Sequence, residues 1–121
     1  MPAASYEKVY AMPFAKVYPL LVAKAVKKGR TPAEVDAVTA WLTGYTPAQI
    51  AGAAAGGVSY GDFFRQAPAM NPARSRITGS ICGVRVETIA DPLMRDIRCL
   101  DKLVDELAKG RPMEKILRRP A

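Results

Sequence analysis

The stretch that most constrains this chain is "DPLMRDIRCLDKLVDELAKG", residues 91–110. Leu93, Ile97, Leu100, Val104 and Leu107 recur at intervals of four and three, which is one face of an α-helix, and charged residues fill much of the remainder. Asp91 is a capping residue, Pro92 suits the first helical position, and Gly110 stands where a helix stops. Such a stripe must be covered. Burying its five side chains contributes on the order of 7–15 kcal/mol before conformational entropy is subtracted. The rest of the chain therefore has to supply surfaces that pack around one central helix.

Those surfaces are mostly helical too. Phe14, Val17, Tyr18, Leu21, Val22 and Ala25 have helical spacing, with Lys16, Lys24, Lys27 and Lys28 on another side and Gly29 as the stop. Pro13 fits a first helical position, whereas Pro19 predicts a kink or a later start. "TPAEVDAVTAWL" combines a cap at Thr31, Pro32 and a capping-box Glu34, followed by the stripe Val35, Val38 and Leu42 with Trp41 beside it. Gly44 ends that helix, and Thr46–Pro47 opens a weaker one whose "AGAAAGG" has little to bury. Ser59 caps a short helix with Phe63 and Phe64, "APAMNPA" reads as a turn-rich connection, and "PMEKILRR" as a last short helix. Residues 77–89 are ambiguous: Ile77, Ile81 and Val84 have helical spacing, while "VRVETI" alternates like a strand. The expected fold is all-α: a compact single domain over 1–121, five or six short helices around the 92–109 helix, with a small β excursion near residues 84–89.

Several chemistries are excluded or disfavoured by residue type. The chain has no histidine, which removes the usual triads, the imidazole general base and most zinc sites. Cys82 and Cys99 lack a matching ligand pair and read as reduced thiols in or near the core, not as a disulfide. Glu34 and Asp36 are two apart on a helix and point to different faces, a cap and a solvated side chain. "GAAAGG" lacks the glycine–lysine pattern of a phosphate loop. No metal or cofactor is expected, and an enzyme is the least favoured reading. It would work without His or metal, in a pocket near Arg74, Arg76 and Tyr45; Ser75, Thr78 and Ser80 with Arg74 and Arg76 are the side-chain types that could hold a small anion. The longest apolar run, Pro19–Ala23, is far too short to span a membrane, and the N-terminus lacks the order of a signal peptide, so a cytoplasmic protein without membrane attachment is expected.

The net charge of +7 is unevenly placed. Residues 1–30 hold six Lys and Arg against Glu7, and basic excess returns at Arg65, Arg74, Arg76 and Arg85 and again at Arg111, Lys115, Arg118 and Arg119. The candidate polyanion-binding residues are Lys24, Lys27, Lys28, Arg30, Arg74 and Arg76. Solubility is the plainer explanation of the same charge. Tyr6, Tyr10 and Tyr18 could stack on bases, although core packing with the hydroxyl at the rim suits them better.

Two segments imitate a DNA-reading unit. In "CGVRVETIADPLM" a helix opening near Val86 would be broken at Asp91–Pro92, and the helix beyond carries net negative charge, so the segment reads as the corner between two helices. In "TPAEVDAVTAWLTGYTPAQIAGAAAGG" the second helix has neither Lys nor Arg. A small binding or interaction module is therefore preferred, as a homodimer through the last helices or as a groove for an acidic partner. Non-specific nucleic-acid binding through the basic patches is the alternative.

The chain resembles a bacterial family catalogued as Domain of Unknown Function 2200. The likeness is carried by "MPFAKVYPLLVAKAVKKGRTPAEVDAVTAWLTGY" (12–45), "FFRQAPAMNPARSRITGSICGVRVETIADPLMRDIRCLDKLVDELAKG" (63–110) and "MEKILR" (113–118), with "WLTGY", "DPLM" and "LDKLVDELAKG" the distinctive phrases. The linker "AQIAGAAAGGVS" is poorer in charge than the resemblance leads one to expect. The resemblance implies a compact bacterial domain and assigns no functional residues.

Overall fold

The structure, a computed structural model, describes residues 3–81 and 83–118. Among the described residues seven α-helices follow one another: α1 (Ala3–Ala11), α2 (Phe14–Lys27), α3 (Pro32–Thr43), α4 (Pro47–Ala55), α5 (Tyr60–Arg65), α6 (Pro92–Ala108) and α7 (Met113–Ile116). Between α5 and α6 lie a 3-10 turn at Pro72–Arg76, the two-residue antiparallel strands β1 (Ser80–Ile81) and β2 (Val84–Arg85), and a second 3-10 turn at Val86–Thr88. The fold is all-α with a small β excursion.

The caps form as their chemistry dictates. Thr31 and Glu34 exchange the two bonds of a capping box, and Thr46 and Gln49 do the same at α4. Asp91 accepts from the amides of Leu93 and Met94, and Ser59 from that of Asp62. The α6 stripe is central. Ile97, Leu100, Val104 and Leu107 are buried with Met94, Leu103 and Cys99, while Leu93 stays partly exposed at the start. Against them stand Val35, Val38 and Leu42 of α3 and an aromatic row. Phe14 stacks on Phe63 at 4.0 Å between centroids and on Tyr18 at 4.9 Å, and Tyr45 closes the row on Phe63 at 4.4 Å.

Several local expectations are corrected. Helix α2 runs unbroken through Pro19, with Pro13 as the extended residue before it rather than its first helical residue. Pro19 faces solvent, so only its own bond back to Ala15 is lost and the packed face of the helix is untouched. Helix α1 has no terminal signal in the sequence. It is held by tertiary contact: a Cβ on Gly61 would lie 2.8 Å from the Tyr10 Cβ, so α5 approaches α1 as only glycine permits, and the Arg65 guanidinium sits 5.3 Å from the Tyr10 ring centre. "CGVRVETIADPLM" is not a corner between two helices; its described part is a hairpin strand and a 3-10 turn leading into the Asp91 cap and first turn of α6, with Gly83 at φ +78 in the connection. Strand pairing begins earlier than expected, and Val86–Thr88 coils instead of extending because Val86 donates to the Gly79 carbonyl and Glu87 reaches back to the Gly79 amide. Asp36 is not merely solvated. It accepts a 2.6 Å bond from the Tyr18 hydroxyl, tying α2 to α3. Cys99 is a buried free thiol, and Cys82 lies outside the described residues. No helix among the described residues is long and apolar enough to cross a membrane.

Candidate functional site

Two helix ends build a basic corner. Helix α2 ends with Gly29 at φ +88, the Gly29 amide bonding the Val26 carbonyl and the Arg30 amide the Ala25 carbonyl. Helix α6 ends the same way, with Gly110 at φ +84, Gly110 bonding Leu107 and Arg111 bonding Glu106. Both are Schellman turns, and each delivers an arginine directly after its glycine. The two arginines meet: Arg30 Nη1 donates to the Arg111 carbonyl at 2.8 Å. Lys24 and Asp105, one turn or more further back, pair at 3.4 Å. The same separation of 81 residues joins both pairs, so α2 and α6 run parallel here and their negative dipole ends lie together. Cations belong at such an end.

From Arg111 the arrangement continues inward. Arg111 pairs with Glu106 at 3.1 Å, and Arg118 clamps the same carboxylate through both terminal nitrogens at 2.7 Å each. Glu106 is 2% exposed, so this is a buried carboxylate neutralised by two guanidiniums. Arg118 also donates from Nε to the Arg76 carbonyl at 3.3 Å, and Arg76 Nη1 lies 3.5 Å from the Arg118 carbonyl. Beside this chain, Lys109 pairs with Asp105 at 2.9 Å. Burial alone would raise the Asp105 carboxyl, but Lys109 and Lys24 outweigh it and hold its pKa below the ordinary range.

Of the six candidate cations, Lys24, Arg30 and Arg76 are thus connected through Asp105, Glu106, Arg111 and Arg118. Lys27 and Lys28 stand exposed at the end of α2, with no ion pair among the described residues. Arg74 turns elsewhere, pairing with Asp96 at 2.9 Å near the start of α6 and donating to the Asn71 carbonyl. Arg111 and Arg118 belong to the basic excess seen in the sequence at 111–119 but not to the six candidate polyanion-binding residues. Their signal was Gly110, whose stop of α6 returns the chain toward Gly29. Tyr10 and Tyr18 are core residues, 7% and 5% exposed. Burial first, then the Asp91 carboxylate, pushes the Tyr10 hydroxyl up to about 12; burial and Asp36 raise that of Tyr18 as well.

Arg74 leads to a second feature, a cleft of about 270 Å³. Pro72, Arg74 and Ser75 form one wall, Ile89, Ala90 and Pro92 another, and Arg95, Asp96 and Cys99 project from α6. Burial, with a smaller push from Asp96, raises the Cys99 thiol to about 11, so it is neutral at pH 7. Arg76, Tyr45, Thr78 and Ser80 do not line the cleft; Tyr45 is stacked on Phe63 and donates to its carbonyl. No group of three or more potential metal ligands occurs among the described residues.

Comparison with curated proteins finds no match. A solved structure, "Crystal structure of uncharacterized protein SP1917", is similar over 93% of this chain and 92% of its own, with 53% identity and a TM-score of 0.89. The family model described as "Uncharacterized protein conserved in bacteria (DUF2200)" matches residues 8–118. With the sequence likeness and the fold in agreement over nearly the whole chain, the protein belongs to the DUF2200 family of conserved bacterial proteins.

Proposed function

We propose that the protein is a small cytoplasmic interaction module that engages an acidic protein segment through the basic corner where α2 and α6 end. The observation that carries this is the linked set Lys24, Arg30, Arg76, Arg111 and Arg118, assembled from three separate parts of the chain, with Lys27 and Lys28 at its edge, without an ion pair among the described residues. Arg30 and Arg118 are fixed by their own hydrogen bonds, so little side-chain freedom is lost when a partner docks. Nucleic acid shares the charge requirement but gains less here. Tyr10 and Tyr18, which would stack on bases, are inside, and Asp105 and Glu106 stand among the cations.

Fluorescence anisotropy with a labelled oligoglutamate peptide and with mixed-sequence DNA and RNA, at about 50 and 200 mM salt, tests the reading. Peptide binding that weakens with salt and disappears in Lys27→Glu/Lys28→Glu supports it. No peptide binding at the lower salt refutes it, and tighter binding of nucleic acid would transfer the corner to that partner. Self-association through the last helices has less to draw on, because Ile116 and Leu117 are buried and, among the described residues, the exposed large apolar side chains are Met12, Leu20, Val26 and Val84. A homodimer would instead use Leu20, which is 68% exposed on α2, and would show as twice the chain mass in sedimentation.

A further inference from the structure

We propose that the cleft between the Pro72–Arg76 turn and the start of α6 binds a small carboxylate with a short apolar tail. The charges in it are unequal. Arg74 is spoken for, its Nε on Asp96 and its Nη1 on the Asn71 carbonyl, both at 2.9 Å. Arg95 is half-buried at the same cleft and has neither an ion pair nor a side-chain hydrogen bond among the described residues. Arg74 and Asp96 cancel, which leaves one guanidinium fork without an anion.

The position of that fork is itself a sign. Arg95 is in the first turn of α6, where its amide bonds the Asp91 carbonyl and where the helix dipole disfavours a cation. An anion in the cleft would relieve this. A planar guanidinium matches a carboxylate through two parallel bonds, and a single negative charge balances the cleft, whereas a doubly charged phosphate would leave one in excess beside Asp96. The remaining walls, Pro72, Ile89, Ala90 and Pro92, are apolar and suit a hydrocarbon tail. Cys99, which also lines the cleft, carries no charge that would repel the ligand. The volume of about 270 Å³ lies just below the range of about 300–1,000 Å³ usual for drug-sized ligands, which sets the ligand at metabolite size.

Sodium benzoate is a suitable probe, followed by two-dimensional amide NMR of the full chain. Saturable shifts centred on Arg74, Ser75, Arg95 and Cys99 are expected. Benzamide, the neutral analogue, should bind at least about tenfold more weakly, as should Arg95→Gln toward benzoate, since each removes a charge-assisted contact. Arg95→Lys, which keeps the charge and loses the fork, should fall between. The proposal is overturned if benzoate gives no saturable shift at these amides, if benzamide binds as tightly as benzoate, or if Arg95→Gln binds benzoate as tightly as the unmodified protein. Tighter binding of phenyl phosphate would overturn the carboxylate assignment. The basic corner is reported by the amides of Arg30 and Arg111, so a response there is distinguishable from one in the cleft.

Discussion

Removing the Glu106 carboxylate should destabilise the protein out of proportion to one side chain. Glu106 is 2% exposed and accepts two 2.7 Å bonds from Arg118, whose own side chain is only 13% exposed, plus one 3.1 Å bond from the half-exposed Arg111. In Glu106→Leu the Arg118 guanidinium keeps its Ile116 and Arg76 carbonyl partners but loses its counter-charge in a confined site. Breaking a buried pair from one side costs about 3–5 kcal/mol. The Arg118 side chain retains 13% exposure, which argues for the lower end, about 3 kcal/mol. Arg118→Leu leaves Glu106 with Arg111 alone and should cost about the same. In the double variant neither charge is stranded, so the loss should fall well short of the sum, with a coupling of about 2 kcal/mol or more. Arg111→Ala, at the exposed edge, should cost about 1 kcal/mol or less. Urea unfolding followed by circular dichroism reads all four, as changes in midpoint at constant slope. Additive single effects, or a Glu106→Leu loss below about 1 kcal/mol, would refute the idea that Arg118 and Glu106 act as one buried unit.

Three further outcomes follow from local geometry and titration. Gly44→Ala should destabilise strongly, by about 2 kcal/mol or more, because φ is +81 and the new Cβ would lie 2.9 Å from the Ala69 Cβ and amide; Gly29→Ala, at φ +88 in open space, should cost only about 1 kcal/mol, both read by thermal melts. The Glu34 carboxyl is held below the ordinary range, first by the Thr31 amide and then by Arg30. Its stabilising contribution is therefore present above the unfolded glutamate pKa of about 4.3 and is lost as pH falls through the lower folded value, so wild type and Glu34→Gln should differ at pH 7 and converge in acid. The thiol of Cys99, up at about 11, should react with a disulfide reagent at pH 8 orders of magnitude more slowly than a free cysteine when measured in Cys82→Ser; rapid reaction in the folded state would contradict its burial.

What the sequence disclosed was whatever is encoded within a few residues. Thr31 with Glu34, Asp91 with Pro92 and the α6 stripe are local signals, and each produced the element it announced. Helix α1 went unread because "AASYEKVYA" has no cap and owes its place to Gly61 and Arg65, about fifty residues away. The strand in "VRVETI" was half legible: the alternation is there, but the Gly79 bonds that coil Val86–Thr88 are not written in it. The charge of Arg74 is plain in the sequence, yet its partner Asp96 is 22 residues on, and the cleft they share with Arg95 exists only once the Pro72–Arg76 turn folds back on α6. Clustering by sequence joined Arg74 to Arg76, whereas the fold sends them to different sites.

The Arg118 clamp also sets an order of events during synthesis. Helix α6 is the element around which α2, α3 and α5 pack, yet its last turns present Glu106 to the interior. Until the chain has been made through Arg111 and Arg118, that carboxylate has nothing to neutralise it, and burying it alone is costly. The growing chain can form its helices early, but the central one cannot seat fully against the others before residue 118 is free of the ribosome. Ribosome-bound chains that expose residues only through about Gly110 should therefore remain loosely packed, and completion of the core should coincide with the arrival of Arg111 and Arg118.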